Sequence, residues 1–174
     1  STLKSNLNEY QYSFVEKNSN KKVTLNNEIV NSAQEVQIAN FLYLNGIDYE
    51  YERPYPFESP TRNKKYTPDF YIRQGEHTAW LEHYALSESG YNSLFTPQQT
   101  AKYKKAIRDK RDVHARCGTK LLETWSLYND RQPLLVHLRE ALEREGFVLQ
   151  PRNLDEVYKK IVDTGKDKYI FKLI

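Results

Sequence analysis

Two periods govern the hydrophobic and polar positions of this chain. Residues 32–45 read as a helix: Ser32 can cap it, Glu35 sits three residues later as in a capping box, and Gly46 can end it. A strand should follow through Ile47, Tyr49 and Tyr51, stopped by Pro54 and Pro56. The polar run ESPTRNKK over 58–65 is a loop. Period-two alternation then predicts strands over 66–73 and 78–86, joined at Gln74-Gly75-Glu76 as a hairpin. After a loop over 87–97, a long helix is expected over 98–116, ending at Gly118. A fourth strand spans 120–126. Leu134, Leu135, Leu138 and Leu142 place one apolar face on a helix over 133–145, followed by Gly146. Asn153 can cap a last helix carrying Leu154, Val157, Tyr158 and Ile161. The order α-β-β-β-α-β-α-α predicts an α/β or α+β layered domain with a small mixed sheet flanked by helices.

Residues 1–30 give mixed signals. Tyr10, Tyr12 and Phe14 alternate like a strand in a segment polar enough for an exposed helix, and Val23 and Leu25 suit a short strand. The 174 residues, 39% hydrophobic and 28% charged, have a globular composition and can bury a real core. With 26 Lys plus Arg against 23 Asp plus Glu, the net charge of +3 requires any basic footprint to be local. A single Cys, Cys117, excludes a disulfide framework and a multi-cysteine zinc site, and fits a reducing compartment. No apolar run is long enough to cross a bilayer, and the polar start STLKSNLNEY lacks a signal-peptide core, so a cytoplasmic protein without a membrane partner is expected. There is no glycine-rich phosphate loop, and Gly118-Thr119-Lys120 lacks the order of a Walker motif, so no bound nucleotide is expected. The chain starts with Ser and contains no Met, which fits an excised fragment.

The chemistry concentrates on the expected hairpin. Alternation puts Phe70 and Ile72 on one face with Asp69 on the other, and Leu81 and His83 on one face with Glu82 opposite. The 12 residues between Asp69 and Glu82 form strand, turn and strand, so both carboxylates can reach one edge. Neighbouring carboxylates repel unless a cation lies between them, and oxygen donors suit Mg²⁺ or Mn²⁺. The competing reading makes Asp69 a turn residue after Pro68 and Glu82 a solvated strand residue. Glu35 shares a helix face with Ile38, Ala39 and Leu42, and either needs an inward partner or simply completes the cap with Ser32. Lys110 falls within the stripe of Tyr103, Ala106, Ile107 and Val113, where a Lys either snorkels or meets an anion. His114, one turn later, is a structural hydrogen-bonder or a catalytic group. Lys102, Lys104, Lys105, Arg108, Arg111 and Arg116 on the same helix, with Arg62, Lys64 and Lys65 in the loop, are a solvated face or a phosphate-neutralising surface.

Glu35, Pro68-Asp69 and Glu82 resemble the helical Glu, Pro-Asp and Glu/Asp-x-Lys pattern of the PD-(D/E)XK nuclease superfamily, with Tyr84 standing where the strand Lys is expected. The strings SAQEVQIANFLYLNGIDYEYERPY, YTPDFYI, WLEHYAL and KRDVHARCGTKLLETWS look more closely like the nuclease-type domain of some bacterial superfamily 1 helicases, UvrD-like and helicase IV-like. The family's Lys-Arg-x-x-His-x-x-x-Gly-Thr-x-Leu-x-Glu-Thr segment maps onto Lys110, Arg111, His114, Gly118, Thr119, Leu121 or Leu122, Glu123 and Thr124. Tyr84-Ala85 replaces the family's Phe-Gly. The resemblance covers roughly 28–127.

That likeness implies a restriction-endonuclease-like core over 28–127, an N-terminal extension over 1–27, and a helical extension over 128–174 leading back into a helicase, as YIFKLI at the end also suggests. It implies metal-dependent DNA cleavage in a bacterial, nucleoid-associated DNA-repair helicase, with DNA and the motor domains of the same chain as partners. Asp69, Glu82 and the backbone carbonyl of His83 would bind Mg²⁺ or Mn²⁺, with Glu35 acting through a metal-bound water. Lys110 would replace the strand Lys. Lys64, Lys65, Lys104, Lys105, Arg108, Arg111 and His114 would meet DNA, and Tyr66, His114 and Glu123 would surround the site. The alternatives are a nuclease-like fold that only binds DNA or docks on the motor, and a purely structural insertion.

Overall fold

A computed structural model describes residues 22–163. The described chain is mixed α/β, and its element order matches the sequence reading, preceded by a small hairpin. That hairpin pairs β1 (Lys22–Val23) with β2 (Ile29–Val30). There follow α1 (Ala33–Leu44), β3 (Asp48–Tyr51), β4 (Phe70–Gln74), β5 (His77–Ser87), α2 (Pro97–Cys117), β6 (Leu121–Leu127), α3 (Leu134–Arg144) and α4 (Leu154–Asp163). The alternation at Tyr10, Tyr12 and Phe14 lies outside the described residues. Among the described residues, no helix is long and apolar enough to cross a membrane.

The chain divides into two compact units, at 48/49 and 148/149, rather than at the sequence boundaries 27/28 and 127/128. Residues 128–163 therefore form no unit of their own: α3 belongs with the sheet and α4 with α1.

In the first unit, Leu25, Leu44 and Val157 form an apolar cluster, closed by Tyr43 and Ile161. Ser32 caps α1, its side chain accepting from the Glu35 N–H at 3.1 Å. The Asn40 side chain accepts from the Leu25 N–H at 2.8 Å, tying the hairpin to the helix. Asn153 caps α4, accepting from the Asp155 N–H at 2.8 Å.

The second unit is built on a four-stranded sheet in the order β3-β4-β5-β6. β4 and β5 are antiparallel, with Phe70 opposite Leu81 and Gln74 opposite His77. β5 and β6 are parallel, joined by α2 as a crossover, with Glu82 opposite Glu123. α2 starts with a complete capping box between Thr96 and Gln99, has Pro97 in its first turn, and ends on Gly118 at φ 68°. That left-handed turn costs Gly nothing and delivers the chain directly into β6.

β4 begins at Phe70, four residues later than alternation predicts. Pro68 has no N–H to give to a ladder, and the Tyr66 carbonyl accepts instead from the Tyr55 N–H at 2.9 Å. The segment 54–66 consequently leaves the sheet as a loop and returns beside its own start.

Candidate functional site

Cross-strand register decides which side chains meet. The β4–β5 ladder ends at Phe70–Leu81, a fully buried apolar pair on one face. One position further, Asp69 lies beside Glu82 on the opposite face. The parallel register places Glu123 on the other side of Glu82. Three carboxylates thus form a row across β4, β5 and β6, and α2 supplies their cations.

Each carboxylate has its own partners. Asp69 Oδ2 accepts from the backbone N–H of His83 at 2.7 Å. Glu82, only 3% exposed, accepts from the Tyr66 hydroxyl at 3.0 Å on Oε1 and meets Lys110 Nζ at 3.3 Å on Oε2. Glu123 accepts from the Tyr84 hydroxyl at 2.6 Å and from Arg111 Nε at 3.0 and 2.9 Å on its two oxygens. Three carboxylates face two cations, and the excess negative charge sits at the Asp69–Glu82 end. Burial, then the adjacent Glu82 charge, push the Asp69 carboxyl up to about 8, and a side-chain hydrogen bond with Glu82 acts in the same direction. The His83 N–H and Lys110 pull the other way. That balance favours a proton on Asp69, held against Glu82.

Lys110 is held as the stripe requires. Its side chain is 28% exposed, and Nζ lies 5.9 Å from the Tyr66 ring centre and 5.8 Å from that of Tyr84. Of the two sequence readings for this residue, it meets an anion. Tyr84, which occupies the place of the expected strand Lys, forms one aromatic wall of that slot and anchors Glu123.

Behind Glu82 runs a buried hydrogen-bond chain. Tyr66 donates to Glu82, so its oxygen is left to accept from His114 Nε2–H at 3.0 Å. His114 Nδ1 then accepts from the Thr119 hydroxyl at 2.8 Å, and Thr119 accepts from Tyr55. This fixes the neutral Nε2–H tautomer. Burial, aided by Lys110, lowers the His114 pKa to about 4. Only 2% of His114 is exposed, so it stands in the wall behind Glu82 and not on the outer surface with Lys104, Lys105 and Arg108. Alternation also could not reveal Tyr55, whose link to the site depends on a loop returning to Tyr66.

The remaining sequence candidates are dispersed. Lys105 pairs with Asp109 at 2.7 Å, and Arg111 is engaged by Glu123. Lys104 lies over Gly90, whose φ of +85° and missing Cβ leave room for it. Lys64 and Lys65 are exposed in the 54–66 loop. The His83 ring faces the other way, bonded to Thr124 at 2.8 Å and lowered by burial to about 4. Glu35 sits in the first turn of α1, in the first unit; the carboxylate row belongs to the second unit alone.

Among the described residues, no group of three or more His, Cys, Asp or Glu is poised to hold a metal ion. Asp69 and Glu82 nevertheless fit a hard divalent cation. They are two oxygen donors in mutual contact, short of one positive charge, and Mg²⁺ commonly takes one or two carboxylates and keeps its waters.

The titrations have opposite signs. His83 and His114 fall from 6.5 to about 4, so the folded state binds fewer protons than the unfolded chain in that window, and stability rises with pH. Asp69 rises from 3.8 to about 8, so its contribution falls with pH until ionisation is complete. Two groups outweigh one below about 6.5, and of these three shifted groups only Asp69 acts above it. The melting temperature without metal should therefore peak near pH 6.5 and decline towards pH 8, and Asp69→Asn should abolish the decline. An undiminished alkaline decline in Asp69→Asn would show that Asp69 is not its source.

No protein-family model matches the chain, and no curated protein or solved structure matches it significantly.

Proposed function

We propose that this chain is a metal-dependent DNA nuclease domain of the PD-(D/E)XK type, inserted in a bacterial superfamily 1 helicase. The observation that carries the reading is the contact between Asp69 and Glu82, at adjoining positions of β4 and β5, with the Lys110 ammonium on the outer oxygen of Glu82.

Asp69 and Glu82 would hold Mg²⁺ or Mn²⁺, with the His83 backbone carbonyl as a further oxygen donor. An ion held there would supply Lewis acidity at the phosphate and would lower the pKa of an attacking water. Tyr66, backed by His114, fixes one oxygen of Glu82 and so the direction of the other. Lys110, held between two aromatic rings, gives its charge to the phosphate oxygens as negative charge develops. Asp69 must lose its proton to bind the ion, so metal affinity rises with pH towards about 8.

The test is single-turnover cleavage of DNA at saturating Mn²⁺. No cleavage with any divalent metal, alone or within the intact helicase, favours the runner-up: a DNA-binding or docking module of that helicase. The missing strand Lys, replaced by Tyr84, is the feature that favours this second reading.

The exposed side chains of Lys104 and Arg108, with Lys105, are assigned to backbone phosphates, so binding should weaken steeply with salt. Charge reversal at all three should flatten the dependence of log affinity on log salt by about two to three units. An unchanged slope places the DNA elsewhere.

A further inference from the structure

The 54–66 loop makes a second feature that the carboxylate row does not use. Its two ends are clamped where the Tyr55 N–H meets the Tyr66 carbonyl at 2.9 Å. Its tip is clamped where the Ser59 hydroxyl donates to the Lys64 carbonyl and accepts from the Thr61 N–H. Between the clamps lies an open cleft of about 430 Å³, whose lining includes Tyr55, Phe57, Glu58, Lys64, Lys65 and Tyr66. Phe57 is 63% exposed and meets the buried Tyr55 edge-on, with ring centres 5.5 Å apart, which holds it upright. A lone exposed Phe is ordinary on a protein surface. This one stands in a preformed cleft beside two lysines that have no carboxylate partner among the described residues. The acid in the lining, Glu58, is paired with Arg116 at 3.1 Å.

An exposed aromatic face beside two exposed cations suits a nucleobase with its phosphates. In a duplex both faces of a base are already stacked, so only an unpaired base can use the ring. The cleft also shares Tyr66 with the carboxylate pair, since the hydroxyl of this wall residue binds Glu82. We propose that the 54–66 cleft stacks an unpaired base of single-stranded DNA on Phe57, with Lys64 and Lys65 on the adjoining phosphates. This names the substrate class of the carboxylate site and rests on the nuclease reading only in treating the bound strand as the strand to be cut.

Binding without metal separates the two claims. In EDTA, fluorescence anisotropy with labelled oligothymidylate and with a blunt duplex of closed ends gives both affinities. Phe57→Ala should weaken oligothymidylate binding about tenfold and leave duplex binding unchanged. Phe57→Trp should restore it. A 2-aminopurine in the strand should be quenched by the native chain and not by Phe57→Ala. The Lys64→Ala/Lys65→Ala variant should weaken binding and lower the salt slope by about one to two units. Unchanged oligothymidylate affinity in Phe57→Ala overturns the proposal, as does an equal loss on the duplex. Phe57-dependent binding by a chain that cuts nothing retains the cleft and removes the nuclease; cleavage indifferent to Phe57 does the reverse.

Discussion

Replacing Asp69 or Glu82 by Ala is expected to lower Mn²⁺-dependent cleavage on the order of a thousandfold or more, because each would remove one of the two proposed carboxylate ligands from an ion worth several kcal/mol to the transition state. The two variants should differ in stability. Asp69→Ala relieves a like-charge contact, so above pH 8 without metal it should melt no lower than the native chain. Glu82→Ala leaves the Tyr66 hydroxyl without its acceptor and Lys110 without its counter-charge, a cost of about 1–3 kcal/mol. Isothermal titration separates loss of ligand from loss of fold. Equal Mn²⁺ affinity in the native chain and Asp69→Ala would sink the metal assignment, whatever happens to cleavage.

The second large effect is expected at Lys110. Lys110→Ala should reduce single-turnover cleavage at saturating Mn²⁺ about 10²- to 10³-fold while Mn²⁺ still binds, since the proposed ligands are carboxylates. A mere ion-pair partner would behave differently: the variant would cleave normally once metal had neutralised the carboxylates. Lys110 is one of the groups that hold the Asp69 pKa down, so its loss should also move the pH dependence of Mn²⁺ binding to higher pH. Cleavage by Lys110→Ala at the native rate would take Lys110 out of the catalytic set. Native stability should fall in either case, because the ammonium is paired at 3.3 Å and bracketed by the rings of Tyr66 and Tyr84.

Much of this arrangement is legible in the chain because it is encoded locally. Period-two alternation with one turn between two strands is enough to put Asp69 and Glu82 on one face. Helical spacing is enough to turn Lys110 inward with Ile107, and Ser32, Gly118 and Asn153 mark their helix ends because a cap needs only neighbouring backbone. Alternation failed at 66–68, where a proline without an N–H took the strand out of the ladder.

Tertiary structure alone decided the rest, because the remaining contacts join segments whose spacing carries no period. The parallel register of β5 and β6 completes the row by setting Glu123, 41 residues from Glu82, at its side. The loop that returns at Tyr66 brings that hydroxyl to Glu82 and to His114, 48 residues away, and so makes a basic-looking histidine a buried neutral one. The same loop sets Phe57 upright beside Lys64 and Lys65. Local sequence therefore determined which residues face which way, and long-range packing determined their protonation and their partners, since both depend on burial and on charges supplied by distant strands and α2.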